Sequence, residues 1–435
     1  MISLQKKKYL YNFNWLFVEK IIRIFGGLFV GIWIARYLGP HDFGILSYGL
    51  AFIAFFSWAS DLGFSQIVVR ELTKHPEKSS LILGSSLLMK LIGGAVAIVL
   101  CAISISFIKS DDMLVVLVVL LLSMTYIFKA FDVIDYYYQA KILSKYSVFS
   151  RNIAFVCSSM LKVYFIIAEY SVVYFVVASV LEALLVGVFL VYLLVKSGHS
   201  IKAWHFDLTV AKKLISDGWP LMISIFLISI HMKVDQLMIE SMMNIEAVGI
   251  YSVAVNLSQA WFFIPSIIVS TLMPYFVSLK ERDKDLYQQR LMQLFTFMFW
   301  LGVLVGVSVF LVGREAVVFL FGDEYEGAYH ALLYNIWGGI FIAQGLACSI
   351  WMVVENQQRY RLYVQILAVC VNIISNIILI PMLGITGAAI STFLTYFLAT
   401  WLFGLFFKQL RPVTLMMIRA SVPLFLISYH RRKTE

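Results

Sequence analysis

Two cations stand one helical turn apart inside a long apolar run. They are Lys20 and Arg23, and the run goes on to Tyr37. A charge at mid-bilayer costs about 2.5–3.5 kcal/mol on insertion scales, so it normally faces a wet cavity or a charged partner. Arg grips phosphate oxygens with a bidentate fork, and Lys adds a point charge. The other cations embedded in apolar sequence are Lys90, Lys129, Lys162 and Lys233; the acids are Asp61, Asp132, Asp135, Glu182 and Asp235. Arg23, Lys20, Lys90 and Lys233 are the candidate lining of a cationic cavity. Its chemistry suits an anionic amphiphile, with a phosphate head in the cavity and a tail in lipid. Asp61, Glu182 and Asp235 are the candidates for coupling a proton or sodium ion. The competing reading of each cation is a salt bridge inside the membrane. Lys129 and Asp132 are one turn apart, Lys162 and Glu182 fall on consecutive helices, and Asp132 and Asp135 lie near a water-exposed end. Glu19 adjoins Lys20 but points about 100° away from it. Gly27 and Gly31 continue the Arg23 face and leave room beside it, which also suits plain helix packing.

These side chains must be positioned by membrane helices. The 435 residues are 61% hydrophobic and only 14% charged, with a mean hydropathy of +0.88. A soluble domain has roughly 25% charged residues. Breaks at charges, Gly and Pro leave about twelve spanning runs, from 13–38 and 42–66 to 361–381 and 385–407. All are helices, because an open sheet cannot satisfy its backbone in lipid. The expected class is an all-α polytopic membrane protein. Lys and Arg crowd the loops on one side, including Lys6, Lys74, Lys141, Lys212 and Arg290, while the other side holds Arg36, Lys109 and Arg314. That bias places the N-terminus in the cytoplasm. The stretch 198–213 divides the chain into six-helix halves at 1–197 and 214–410. Residues 411–435 form an interfacial or re-entrant helix with a basic cytoplasmic tail. Phe43-Gly44-Ile45-Leu46-Ser47 parallels Val248-Gly249-Ile250-Tyr251-Ser252. This fits parallel repeats, although Gly and Ser recurring by chance would give the same match.

The sequence also excludes classes. Cys101, Cys157, Cys348 and Cys370 lie in apolar runs without metal-ligand spacing and read as small hydrophobes. The net charge of +9 is scattered over short loops, which does not suggest nucleic acid. There is no Gly-x-x-x-x-Gly-Lys-Ser/Thr phosphate loop, no Gly-x-Ser-x-Gly elbow and no His-Glu-x-x-His motif. The expectation is a transporter without cofactor or metal, driven by an ion gradient or the membrane potential. Aromatics such as Trp204, Trp219 and Trp261 sit near run ends as interface anchors.

Several motifs carry a family resemblance. Ala35-Arg36-Tyr37-Leu38-Gly39-Pro40 with Phe43-Gly44, Ser60-Asp61-Leu62-Gly63-Phe64, and Gly218-Trp219-Pro220-Leu221 with Lys233-Val234-Asp235-Gln236 occur in order. Phe321-Gly322-Asp323-Glu324-Tyr325 and Gly384-Ile385-Thr386-Gly387-Ala388-Ala389 follow. Together they resemble the polysaccharide-export flippases of the Wzx type. These belong to the MATE/MOP superfamily, with the drug/cation antiporters and the peptidoglycan-precursor flippase. The resemblance implies two six-helix bundles in a V shape, alternately open to each side. It implies movement of an oligosaccharide on undecaprenyl pyrophosphate, such as an O-antigen unit of lipopolysaccharide, from the cytoplasmic to the periplasmic leaflet of a bacterial inner membrane. The expected partners are that lipid-linked oligosaccharide, membrane lipids, and a glycan polymerase and chain-length regulator. The alternatives are a cation-coupled multidrug exporter of the same fold, a peptidoglycan-precursor flippase, and a scaffold subunit of a glycan-assembly enzyme that transports nothing.

Overall fold

The computed structural model describes residues 2–422, with side chains described at 15 and from 17 onward. The basic tail expected after 422 lies outside them. Among the described residues there is helix and no strand. Eleven helical stretches are long and apolar enough to cross a membrane. The first, Phe17–Lys74, has 58 residues. At about 1.5 Å per residue that is far longer than one ~30 Å crossing, so it supplies two and the count reaches the expected twelve.

By packing, the chain forms two compact units, 1–237 and 238–435. The first contains α1 (Ile2–Asp61), α2 (Phe64–Lys74), α3 (Ser79–Ile108), α4 (Met113–Ser123), α5 (Thr125–Phe128), α6 (Val133–Ala140), α7 (Lys145–Ile167), α8 (Val172–Lys196) and most of α9 (Leu208–Met242). The expected outer turn at 35–44 is a single non-helical residue, Gly39, at φ 70° and ψ 173°. Only Gly reaches that backbone region without strain, and Pro40 then restarts the helix with φ preset.

A second break at Leu62 and Gly63 turns the chain into α2, an amphipathic helix. Its Phe64, Val68 and Leu72 share one core with Ile82 and Leu83 of α3, Ile134 and Tyr138 of α6, and Leu194 of α8. Gly63, at φ 67°, abuts α9: a Cβ there would stand 2.5 Å from the Gly218 carbonyl oxygen. Ser57 and Ser229 hydroxyls meet at 3.3 Å, and Trp58 packs edge-on to Phe226 at 6.1 Å. These contacts join α9 to the first unit, so the division by packing falls within α9, later than the 198–213 stretch.

The fourth crossing, Met113–Ala140, is discontinuous. α4 gives way to α5 at Met124, and a 3₁₀ turn at Lys129–Asp132 separates α5 from α6. Ser123 and Thr125 hydroxyls each donate 2.7 Å bonds to carbonyls three residues back. Such local bonds compete with the helix ladder. The Tyr126 hydroxyl donates across to the Ile53 carbonyl.

The second unit continues with α10 (Ile245–Ala260), α11 (Phe263–Arg282), α12 (Lys284–Phe321), α13 (Ala328–Val354), α14 (Gln358–Leu383), α15 (Ile385–Phe397), α16 (Phe403–Phe406) and α17 (Arg411–Ala420). Among the described residues its core is rich in aromatics, and Glu240 near its start is the buried carboxylate. Phe341 meets Phe393, Phe397 and Trp401 edge-on. Gln344 accepts from the Trp401 indole at 2.7 Å and donates to the Met417 carbonyl at 3.1 Å. Those bonds hold α17 against the bundle, with Val413, Thr414 and Met417 buried. Ion pairs here sit at helix ends, such as Lys280–Glu355 at 2.5 Å and Arg314–Glu326.

Candidate functional site

Most of the charged interior among the described residues belongs to the first unit, and it starts on the first leg of α1. Val18, Ile22, Phe25, Phe29 and Trp33 are all exposed there. Their spacing of three and four places them on one stripe, the side turned to lipid. Lys20 lies nearly opposite, at about 100° per residue, and it too is exposed. Gly27 and Gly31 share that opposite side, and a Cβ at either would meet nothing within 4 Å. The helix therefore has two accessible faces, one apolar and one open and polar. Gly26, turned sideways, packs under the Phe155 ring of α7.

Arg23 stands where the α7 side meets the open side. Its Nη2 donates to Glu182 Oε1 of α8 at 3.2 Å, and its guanidinium lies 5.7 Å from the Phe155 ring centroid. Lys162 Nζ is 3.8 Å from the other carboxylate oxygen of Glu182. The Arg23 side chain is still 39% exposed, against 17% for Glu182. The expected Lys162–Glu182 pair exists and includes Arg23 as a third member.

A second group holds Arg151 of α7. It donates to Asp135 Oδ2 at 2.5 Å and lies 3.7 Å from Glu19. Gln139 also donates to Asp135, at 2.9 Å. Asp135 is 2% exposed. The expected wet setting for Asp135 is thus replaced by a buried one, with two donors on Oδ2. Glu19 serves Arg151 rather than Lys20. Arg151 falls inside the spanning run expected at 146–168, near its start, but is not among the cations expected in apolar sequence. The signal that finds it is the series Arg151, Phe155, Ser158, Lys162, which marks one polar face of α7.

The third group surrounds the break in the fourth crossing. Lys90 of α3 is 2% exposed; it donates to the Tyr136 hydroxyl at 3.1 Å and sits over that ring. Lys129, in the 3₁₀ turn, is exposed and feels the charges of Asp132, Lys90 and Asp61. Asp61 Oδ1 is buried without a hydrogen-bond partner among the described residues. On α9, Lys233 is half-buried and makes no ion pair among the described residues. Asp235 is buried and interacts with His231.

Of the four expected cavity cations, Lys20 and Arg23 share the open face. Lys90 is committed to the Tyr136 group, and no hydrogen bond or ion pair joins Lys90 or Lys233 to Arg23 among the described residues. Counting Arg151 and Glu19, cations and carboxylates inside this unit nearly balance. The arrangement can hold an anion where a cation stays accessible, at Lys20 and Arg23, and it fixes charge where a buried carboxylate takes two hydrogen bonds, at Asp135.

Residues 10–280 match the family described as polysaccharide biosynthesis protein. The chain belongs to this family. It is similar to the capsular polysaccharide biosynthesis protein CapF of Staphylococcus aureus, at 22% identity over 92% of this chain and 99% of CapF. Among solved structures it is similar to the lipid II flippase MurJ, with a TM-score of 0.74 and 13% identity over 96% of this chain and 92% of MurJ. A multidrug resistance MATE family transporter of the MOP superfamily gives a TM-score of 0.70 and 16% identity, over 92% and 96% of the two chains. The fold of this polysaccharide biosynthesis family member is thus MATE-like, and it is a multi-pass membrane protein.

Proposed function

We propose that this protein is a flippase for a lipid-linked glycan. Its substrate is an oligosaccharide on undecaprenyl pyrophosphate, an O-unit or a similar repeat of a surface polysaccharide. It moves from the cytoplasmic to the periplasmic leaflet of the bacterial inner membrane by alternating access. The observation that carries this reading is the first leg of α1. One side offers Lys20 and Arg23 to an open space lined by Gly27 and Gly31, and the other offers a lipid stripe. An amphiphile with a diphosphate head matches that pair of faces, and Arg23 supplies the planar fork that recognises phosphate. Family membership supports a glycan as the cargo, and CapF supports a capsular or related repeat. Asp61, Glu182 and Asp235 are the groups through which an ion gradient would act. Lys233 and Lys90 serve as further positive charge near the path. A polymerase and a chain-length regulator are the partners that would take the product.

Complementation tests this. The gene is expressed in a bacterium that lacks its own flippase and carries the matching sugar pathway. Surface polysaccharide and membrane abundance are then measured for wild type and Arg23→Ala. Export by wild type and its loss in the variant at equal abundance are expected. Equal export by both would remove Arg23 from the site, and failure of the wild type would overturn the flippase reading. A cation-coupled multidrug exporter is the second reading. The near balance of carboxylates and cations favours it, and it requires drug resistance on overexpression.

A further inference from the structure

We infer that Glu182 is a built-in competitor for the substrate's diphosphate: it occupies Arg23 in the empty site and yields it when the anion arrives, held back by Lys162. The inference rests on the flippase reading and deepens it. Three observations carry it. First, Glu182 is bound to its two cations through different oxygens, Oε1 on Arg23 and Oε2 on Lys162. It can leave one without losing the other. Second, both contacts are single and long, 3.2 and 3.8 Å, where charge-assisted bonds normally run about 2.7–2.9 Å. Arg23 gives Glu182 only Nη2 in hydrogen bonding, so the bidentate edge that phosphate prefers is unspent. Third, Arg23 borders the open face, and the room at Gly27 and Gly31 lets an anion approach without displacing protein.

The charges agree with this exchange. The triad of Arg23, Lys162 and Glu182 carries one net positive charge, too little to leave a bare cation in the membrane and enough to favour an anion. A diphosphate that binds Arg23 bidentately also reaches the exposed Lys20 on the same face. Glu182 then remains neutralised by Lys162, so no carboxylate is left unpaired in a region where that is costly. The Asp135–Arg151 pair is less suited to this, because Arg151 is already held by two carboxylates, Asp135 at 2.5 Å and Glu19 at 3.7 Å, and among the described residues no second cation pairs with Asp135 to neutralise it once displaced.

The test measures binding to the full-length purified protein in nanodiscs, with farnesyl diphosphate as probe, farnesol as the neutral control and inorganic pyrophosphate as the headgroup alone. Glu182→Gln keeps the shape and removes the competing charge. It should bind farnesyl diphosphate about two- to fivefold tighter than wild type, the range of a part-exposed ion pair, with farnesol unchanged. Lys162→Met should weaken diphosphate binding, because Glu182 then clings to Arg23. In a Glu182→Gln background Lys162→Met should have a much smaller effect. Unchanged or weaker binding by Glu182→Gln, with the protein folded by gel filtration, overturns the competitor role while leaving the flippase reading intact. If Glu182→Gln does not fold, Lys162→Met decides: binding no weaker than wild type overturns the inference. If wild type binds farnesyl diphosphate no better than farnesol, the diphosphate site itself fails, and this inference with it.

Discussion

Replacing Arg151 by Met should cost the first unit about 3 kcal/mol. Asp135 is 2% exposed and takes its shortest bond, 2.5 Å, from Arg151. Without it the carboxylate keeps only the Gln139 amide at 2.9 Å. Glu19, also buried, loses its cation at 3.7 Å. Removing one partner of a buried pair costs about 3–5 kcal/mol, mostly because a charge is left behind in a dry place. The remaining Gln139 bond and the 29% exposure of the Arg151 side chain put the value at the lower end. For a unit of this size each kcal/mol lowers the melting temperature by about 2–4 °C, so the expected drop is roughly 6–12 °C. Intrinsic fluorescence of the detergent-solubilised protein reads it during a temperature ramp. The double variant Arg151→Met/Asp135→Asn should recover about half of the loss, since the more tightly bonded of the two stranded carboxylates is gone and Glu19 remains. A single variant that melts with the wild type would refute the argument, as would a double variant that melts lower still.

Two further outcomes follow from the glycines. With the four native cysteines replaced by Ala, Gly27→Cys should react rapidly with a small charged methanethiosulfonate reagent, and Gly26→Cys, pressed under Phe155, should react slowly. Equal rates at the two positions would mean that the open face is not wet. Gly63→Ala forces a side chain into φ 67°, which costs about 1–3 kcal/mol, and drives its Cβ into the Gly218 carbonyl. It should lower the melting temperature and the solubilised yield, and an unchanged melt would contradict the close approach of α9.

The membrane class, the number of crossings and the charged first half were legible in the sequence, because apolar runs of fixed length and isolated charges are direct consequences of the bilayer. So was the pairing of Lys162 with Glu182. The partners of Glu19 and Arg151 were not. A contact between α1 and α7 is set by how whole helices rotate against each other, here by Gly26 under Phe155, and no local pattern encodes it. The break in the fourth crossing was equally hidden. The stretch 113–140 contains neither Pro nor Gly, the usual causes of a kink. Its irregularity comes from two hydroxyls folding back on their own helix and from Tyr126 bonding to Ile53, one local and one tertiary cause acting together. The outer turn at Gly39 shows the opposite case, where a Gly-Pro pair announces itself.

The two ion pairs on α7 differ in how tightly they hold their carboxylates. Each charge placed in the bilayer costs energy, so a site that must receive an anion cannot simply display bare cations. The first unit keeps nearly equal numbers of both signs and sorts them by accessibility. Near the N-terminal end of α7, Arg151 meets a carboxylate that is buried and doubly bonded, which makes that pair a fixed strut between α6 and α7. Eleven residues on, Lys162 meets a carboxylate that is shared, loosely held and adjacent to an open face. Moving the accessible site to Asp135 would strand a charge, and fixing Glu182 as tightly as Asp135 would close Arg23 to phosphate. On the proposed flippase reading, the difference in bond length between the two pairs is the property that would let Arg23 hold an anion transiently rather than permanently.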